Sequence, residues 1–274
     1  EGIEKAGMHR SIQGDIDSLS QVEMVDQNPI GKSSRSNPVT YIKAYDEIRE
    51  LYSKQPLSKM RGFQPKHFSF NVDGGRCDAC KGEGEQIVEM QFLADVHLTC
   101  EVCGGKRFKE EVLEVDYKGS NIYEVLEMSV DAAVLFFSDE PEVAKKIQPL
   151  SDVGLGYVKL GQSSNTLSGG EAQRVKLASF LGKGRSQGKI LFIFDEPTTG
   201  LHFHDIKKLL TSFNALISQG HSILVIEHNT DVIKSADWVI DLGPEAGDAG
   251  GNLVFAGKPI DLKKCKESYT GRFL

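Results

Sequence analysis

Two short stretches carry residues whose types and spacing suit phosphate chemistry. The first reads L-S-G-G-E-A-Q-R-V-K-L-A from Leu167. Ser168 is an N-cap residue type placed before a pattern in which Val175, Ala178 and Leu181 share one helical face, and Gly169 and Gly170 permit close backbone approach. A helix start of that kind turns free N–H groups and the positive end of the helix dipole toward an anion. The second stretch reads K-I-L-F-I-F-D-E-P-T-T-G from Lys189. Ile190 to Phe194 is an apolar run of the sort that forms a strand buried on both faces of a parallel sheet, which puts Asp195 and Glu196 at its carboxyl end. Ligands of open α/β sheets bind at such ends. A carboxylate that holds Mg²⁺ beside one that orients a water is the division of labour phosphoanhydride hydrolysis requires.

Either stretch alone has a plain structural meaning, a helix cap in one case and a strand-to-turn corner in the other. Together and in this order they match the signature, Walker B and D-loop of ABC-type ATPases, and the chain resembles that superfamily. The elements that must position them follow from periodicity. Gln21 to Asp26 reads as a short strand closed by the loop Q-N-P-I-G-K-S-S-R-S-N-P. Gly31-Lys32-Ser33 imitates the end of a phosphate-binding loop but lacks the preceding glycine, since Asp26 stands at that position, and no apolar helix follows. Tyr41 to Tyr52 reads as one amphipathic helix with structural tyrosines, and Asn121 to Phe137 and Glu142 to Leu150 read as helices. Ile206, Leu209, Leu210, Phe213, Leu216 and Ile217 make a further helical stripe ended by Gly220. Ser222 to Ile226 is a second buried strand, ending in Glu227-His228; Trp238 to Leu242 and Leu253 to Ala256 are two more, joined by a glycine-rich loop.

A separate constellation is metallic. Cys77-x-x-Cys80 and Cys100-x-x-Cys103 are each followed by glycine, so each pair sets two thiolates on a tight turn, and the two turns complete a tetrahedral Zn²⁺ site with no position open to water. Val88, Met90, Phe92, Val96 and Leu98 largely alternate with more polar residues, as antiparallel strands bringing the knuckles together would require. Disulfides or free core thiols are the alternatives; His97 could replace a cysteine as ligand, but beside four available thiolates it reads as an ordinary strand residue. Around the knuckles lie Arg76, Lys81, Lys106, Arg107 and Lys109, with Phe108 among them. That grouping suits contact with a phosphate backbone plus stacking, or simply a solvated surface, since Glu83, Glu85, Glu110 and Glu111 dilute its field.

The 274 residues suffice for a sizeable core and suggest two structural units. A net charge of −7 excludes a global basic field, so any nucleic-acid contact is local. No run of apolar residues is long enough for a membrane span and no secretory leader opens the chain, so paired cysteines point to a metal in a reducing compartment, by default the cytoplasm. Cys265 stands alone as a bystander thiol.

The loop ending R-S-N-P, the two knuckles between it and the signature, D-E-P-T-T-G-L-H, V-I-E-H-N and W-V-I-D-L-G-P-E-A-G-D-A-G-G together resemble the UvrA family, the damage-recognition ATPases of bacterial nucleotide excision repair, from about Gln13 to Gly257. The resemblance implies an α/β fold: part of an ABC-type nucleotide-binding domain, mainly parallel sheet with helices, into which a helical signature domain carrying a zinc-binding β module is inserted. It places ATP-binding parts at 1–41 and 186–274, the signature domain at 42–185 and the zinc module at about 67–118. It further implies that Asp195 binds Mg²⁺, Glu196 polarises the hydrolytic water, Gln27 senses metal and water, and His228 holds the γ-phosphate. Ser168, Gly169, Gly170 and Gln173 would complete a nucleotide held by a second ATPase half. The implied partners are damaged duplex DNA, a second UvrA copy and UvrB through other regions. One departure stands out. No G-x-x-x-x-G-K-[ST] occurs, so the chain is expected to be a portion of a longer ATPase; the rival expectation is a non-catalytic zinc-containing DNA-binding or interaction module. ABC proteins of the antibiotic-resistance or translation-factor type are disfavoured because they lack paired knuckles in this interval.

Overall fold

The computed structural model describes residues 9–31, 35–88, 96–182, 188–243, 245 and 250–274. Lys32 and Ser33 of the phosphate-loop imitation, Met90 and Phe92 of the alternating pattern, and residues 244 and 246–249 of the glycine-rich loop lie outside them. In chain order the elements are β1 (Leu19–Val25), α1 (Pro38–Tyr41), α2 (Ala44–Ser53) and α3 (Pro56–Arg61), followed by β2 (Glu85–Val88) and β3 (Val96–Thr99). Next come α4 (Glu110–Leu113), β4 (Asp116–Tyr117), β5 (Ser120–Asn121), α5 (Ile122–Glu127), α6 (Val130–Phe136), α7 (Pro141–Asp152) and α8 (Gly169–Leu181). The last part holds β6 (Lys189–Asp195), α9 (Phe203–Ser218), β7 (Ser222–Ile226), α10 (Thr230–Ser235), β8 (Val239–Gly243), β9 (Asn252–Gly257) and α11 (Pro259–Leu262).

The central sheet is parallel, in the order β1-β6-β7. Its register aligns Met24 with Ile193 and Ile193 with Leu224, and pairs Asp195 with Ile226 at the carboxyl edge. Ile190, Phe192 and Phe194 point to the buried face, where Phe180 of α8 meets Phe192 with ring centroids 4.9 Å apart and Phe213 of α9 meets Phe194 at 4.7 Å. The opposite face differs from the expected double burial. Val22, Met24, Leu224 and Ile226 are 56, 51, 43 and 50% exposed, and Leu191 and Ile193 are half-buried. Among the described residues, this sheet is covered on one side.

Two expected helices are each divided in two. The stretch from Tyr41 breaks at Lys43, whose backbone is left-handed at φ 60°, because the short helix α1, begun by an Asn37 capping box with Pro38 in its first turn, ends there and α2 begins. The Asn121–Phe137 stretch breaks at Met128 and Ser129. There the backbone pairs with the strand-like Lys159–Gly161 segment, Leu160 N–H donating to Met128 O at 3.0 Å, while the Ser129 side chain caps α6. The tyrosines are structural, as expected: buried Tyr45 and Tyr52 donate to the Phe68 and Ser120 carbonyls, both at 2.6 Å, and burial raises both hydroxyl pKa values. One continuous core joins the α2, α5, α6 and α7 helices to α8 and the buried sheet face. Among the described residues no helix is long and apolar enough to cross a membrane.

Candidate nucleotide and metal sites

The residues singled out for phosphate chemistry follow three adjacent strand ends. β1 leads into Gln27, β6 into Asp195-Glu196 and β7 into Glu227-His228, and Gln27, Asp195, Glu196 and His228 are all exposed. Glu196 donates its backbone N–H to Ile226 O at 2.9 Å, which locks the two strand ends together, and its carboxylate lies 3.8 Å from His228 Nδ1. Its backbone sits at φ +44°, a left-handed conformation that costs a residue with a side chain about 1–2 kcal/mol. That strain aims a carboxylate off the end of the strand toward the imidazole of the neighbouring strand.

The signature glycines are required by close approach. A Cβ on Gly169 would lie 2.9 Å from the Gln27 side chain, and one on Gly170 would lie 2.9 Å from the Thr199 carbonyl. The start of α8 therefore nests between the loop after β1 and the turn after β6, and any larger residue would push them apart. Ser168 caps it as expected: its Oγ accepts from Glu171 N–H at 3.3 Å while the Glu171 carboxylate accepts from Ser168 N–H at 2.7 Å. Burial pushes the Glu171 carboxyl up, but the donors from Tyr157 and Ser168 outweigh it and the net direction is down.

Gln173, one turn further along, is buried. Its Nε2 donates to Val25 O at 2.7 Å and to Asp195 O at 3.0 Å, so one amide spans the ends of β1 and β6. Lys176 adds a second tie, donating to Asp26 O at 3.1 Å and pairing with the Asp26 carboxylate just before Gln27. Burial alone would raise the Asp26 carboxyl; Lys176 and Asn28 bring it below the ordinary value.

Sequence reasoning assigned no role to Glu227, yet its carboxylate is the most heavily engaged at this edge. One oxygen accepts from the Thr198 N–H at 2.9 Å and from the Thr198 hydroxyl; the other accepts from the His228 and Asn229 N–H groups at 2.8 and 2.9 Å. Burial raises its pKa, and these donors reverse the shift to a net lowering. The usable signal was its position: a carboxylate at a strand's end can fold back onto the N–H groups that follow.

The four cysteines converge. Their Sγ atoms all lie within 4.8 Å of one another, with Cys77 4.0 Å from Cys100 and Cys80 3.7 Å from Cys103, too far for S–S bonds of about 2.05 Å. β2 and β3 pair antiparallel and carry the knuckles to this point, and Gly84 N–H donates to Cys80 Sγ at 3.3 Å. The N–H groups of Cys103 and Val102 hold the Cys100 thiol down at about 7, while burial pushes Cys103 up to about 12 and Cys80 upward. Such crowding of thiols is relieved by a cation, and the cluster could hold a metal ion. His97 stays outside it, 3.3 Å from Glu85.

The nearby cations are unequal. Lys81 and Lys106 are exposed. Half-buried Arg107 lies over the Phe70 ring at 5.6 Å, Lys109 pairs with Asp78 at 2.8 Å, and Arg76, only 14% exposed, pairs with Asp73 at 2.7 Å. Phe108 corrects the expectation of a stacking surface: it is 1% exposed and packs edge-on against Phe70 in the core.

No protein-family model matches the chain. Among curated relatives it is 54% identical over 270 residues to UvrABC system protein A of Staphylococcus aureus (strain COL), covering 98% of this chain, and 55% identical over 271 residues to that of Streptococcus pyogenes serotype M1, covering 99%. The chain belongs to the UvrA family. The crystal structure of UvrA2 from Deinococcus radiodurans superposes on it with a TM-score of 0.89 at 44% identity, covering 96% of this chain and 32% of that one. The chain spans 28–29% of the length of the two curated relatives. With the UvrA match, the α/β reading, the parallel sheet and the clustered cysteines stand as expected.

Proposed function

We propose that this chain supplies part of the ATPase and part of the DNA-contacting surface of a bacterial damage-recognition protein, in which ATP binding and hydrolysis are coupled to the hold on damaged duplex DNA. The observation that carries the reading is the placement of Glu196 3.8 Å from His228 on adjacent parallel strand ends, with the Glu196 backbone anchored to Ile226. In this reading Glu196 takes the proton of the attacking water, Gln27 orients that water, and His228 donates to the γ-phosphate oxygen. Asp195 would hold Mg²⁺, which would supply charge neutralisation on the phosphates. Ser168, Gly169 and Gly170 present the α8 start to nucleotide and Gln173 supports them from beneath. The division into ATP-binding parts at 1–41 and 186–274 and a signature domain at 42–185 belongs to this proposal, as do a cytoplasmic setting, a second UvrA copy and UvrB as partners.

Zinc is the metal proposed for the cysteine cluster. Four thiolates at Zn–S distances of about 2.3 Å in a tetrahedron stand about 3.8 Å apart, which the 3.7 and 4.0 Å separations approach before any ion draws them in. Lys81, Lys106 and Arg107 are the leading DNA contacts, with Arg76 and Lys109 available once their carboxylate partners release them. Recognition through backbone charge and deformability fits this set of cations.

The test is turnover of the full-length protein carrying Glu196→Gln. Loss of a general base lowers kcat by about 100-fold or more with ATP binding retained; unchanged turnover removes Glu196 from that role. Lys81→Ala and Lys106→Ala are each expected to reduce the salt slope of DNA binding by about 1. A second reading, a non-catalytic zinc-bearing module, is favoured by the lack of a G-x-x-x-x-G-K-[ST] loop in these 274 residues. Titration of this polypeptide alone with ATP separates the two, because tight binding is incompatible with the second.

A further inference from the structure

We infer that Glu227 is a positioning residue for the ATPase reaction: its ionised carboxylate fastens the turn after β6 to the loop after β7, so that Glu196 and His228 are presented to substrate as one unit. The inference rests on the ATPase reading given above. Four donors from two separate loops converge on one carboxylate, two from Thr198 and one each from the His228 and Asn229 backbones. Thr198 lies two residues beyond Glu196, inside the tight turn closed by Thr199 N–H donating to Glu196 O at 3.2 Å. His228 follows Glu227 directly, and Asn229 caps α10 by accepting from the Asp231 and Val232 N–H groups at 2.9 and 3.3 Å. A single side chain therefore sets where α10 begins, where the imidazole emerges and how the left-handed turn at Glu196 is held.

The chemistry of the acceptor matters as much as its place. All four donors point inward, and only an ionised carboxylate can accept from all of them without presenting a donor of its own. Glutamine at this position would turn an NH₂ group toward N–H groups. Either one of the two loops then loses its tie or the amide rotates out, and in each case the 3.8 Å spacing of Glu196 and His228 is no longer enforced. Glu227 is half-buried with both its oxygens engaged by these four donors, whereas Glu196 is exposed. Its effect passes through its neighbours, and it is not placed to touch the phosphates.

The experiment is steady-state ATP hydrolysis and ATP binding by the full-length protein carrying Glu227→Gln, Glu227→Asp, His228→Ala, and Glu227→Gln combined with His228→Ala. Displacement of a reacting group by about 1 Å costs up to about 100-fold, so Glu227→Gln is expected to lower kcat by about 10- to 100-fold. KM for ATP should stay near the parent value, any fall in thermal midpoint should leave the protein fully folded at the assay temperature, and Glu227→Asp should recover part of the loss by restoring charge. In the His228→Ala background Glu227→Gln should cost little more, because the two act through one arrangement. A Glu227→Gln protein with parental kcat overturns the inference, as does a loss that is fully additive with His228→Ala or that appears only as lowered stability. An inactive parent would instead overturn the ATPase reading, which keeps the two failures apart.

Discussion

Arg35 and Glu83 form an ion pair that joins the loop following Gln27 to the first cysteine knuckle, Nε to Oε1 at 2.7 Å, with side chains only 27 and 23% exposed. The same loop is tied to the approach to the signature, where Ser164 N–H donates to Ser36 O at 2.7 Å. Arg35 and Ser36 are thus tied at once to the cysteine module and to the approach to the signature. Reversing one charge, Arg35→Glu, should diminish the ATP dependence of DNA affinity in the full-length protein. The exchange Arg35→Glu with Glu83→Arg should restore part of it, with a coupling energy of roughly 0.5–3 kcal/mol. Equal effects of the single and double variants would sever the pair from the coupling.

The cysteine cluster makes a compositional prediction. Metal analysis should find about one zinc per chain, and Cys77→Ser should release it, because the three remaining thiolates leave an open position that a structural site does not tolerate. The loss should spread locally: Cys77 N–H donates to Arg107 O at 2.8 Å and Cys100 N–H to Gly84 O at 2.9 Å, so the turns carrying Lys81 and Arg107 loosen with the ion. Full protection of Arg107 from proteolysis in a zinc-free protein would contradict this.

The site was legible in the sequence where chemistry and local pattern coincide. Asp195 and Glu196 at a strand end, Ser168 as a cap and the Cys77, Cys80, Cys100 and Cys103 knuckles each needed only a few consecutive residues to be placed. What escaped depends on distant chain. Glu227 gains its meaning from Thr198, Gln173 from the carbonyls of Val25 and Asp195, and Arg35 from Glu83. Periodicity also overstated burial. It treated Ser222–Ile226 as wholly internal, whereas hydrophobic content alone cannot say whether a second layer covers the face bearing Leu224 and Ile226. The breaks at Lys43 and Ser129 were hidden for the same reason, since apolar spacing continues across a turn that capping and cross-chain pairing impose.

Backbone strain at Glu196 is testable without assaying activity. A residue at φ +44° carries the left-handed penalty of about 1–2 kcal/mol, and glycine avoids it. Glycine loses about 0.5–1 kcal/mol through its freer unfolded chain, so Glu196→Gly should still be the more stable of the Gly and Ala variants by about 0.5 kcal/mol. At exposed Lys145 in α7 the order should invert, with Gly less stable than Ala by about 1 kcal/mol. Urea midpoints for the four variants decide it; the same order at both positions would mean that Glu196 is unstrained.

Glu227 also fixes the sign of a pH effect on stability. Its folded-state pKa lies below the ordinary glutamate value of 4.5, burial being outweighed by the hydrogen bonds from Thr198, Asn229 and His228. Above that value both folded and unfolded chains are ionised at this position, and the full contribution of the carboxylate is present. As pH falls through the ordinary value the unfolded chain takes up the proton first, so the contribution shrinks, and it is lost once pH has dropped below the folded pKa. Asp26 and Glu171 are also lowered and titrate in the same direction, so the informative quantity is the difference between the parent and Glu227→Gln. Urea midpoints measured from about pH 6 to about pH 3 should converge for the two proteins toward the acid end, with the parent more stable only near neutrality. A gap that stays constant across the range would show that the charge of Glu227, as distinct from its shape, contributes nothing to holding the two loops together.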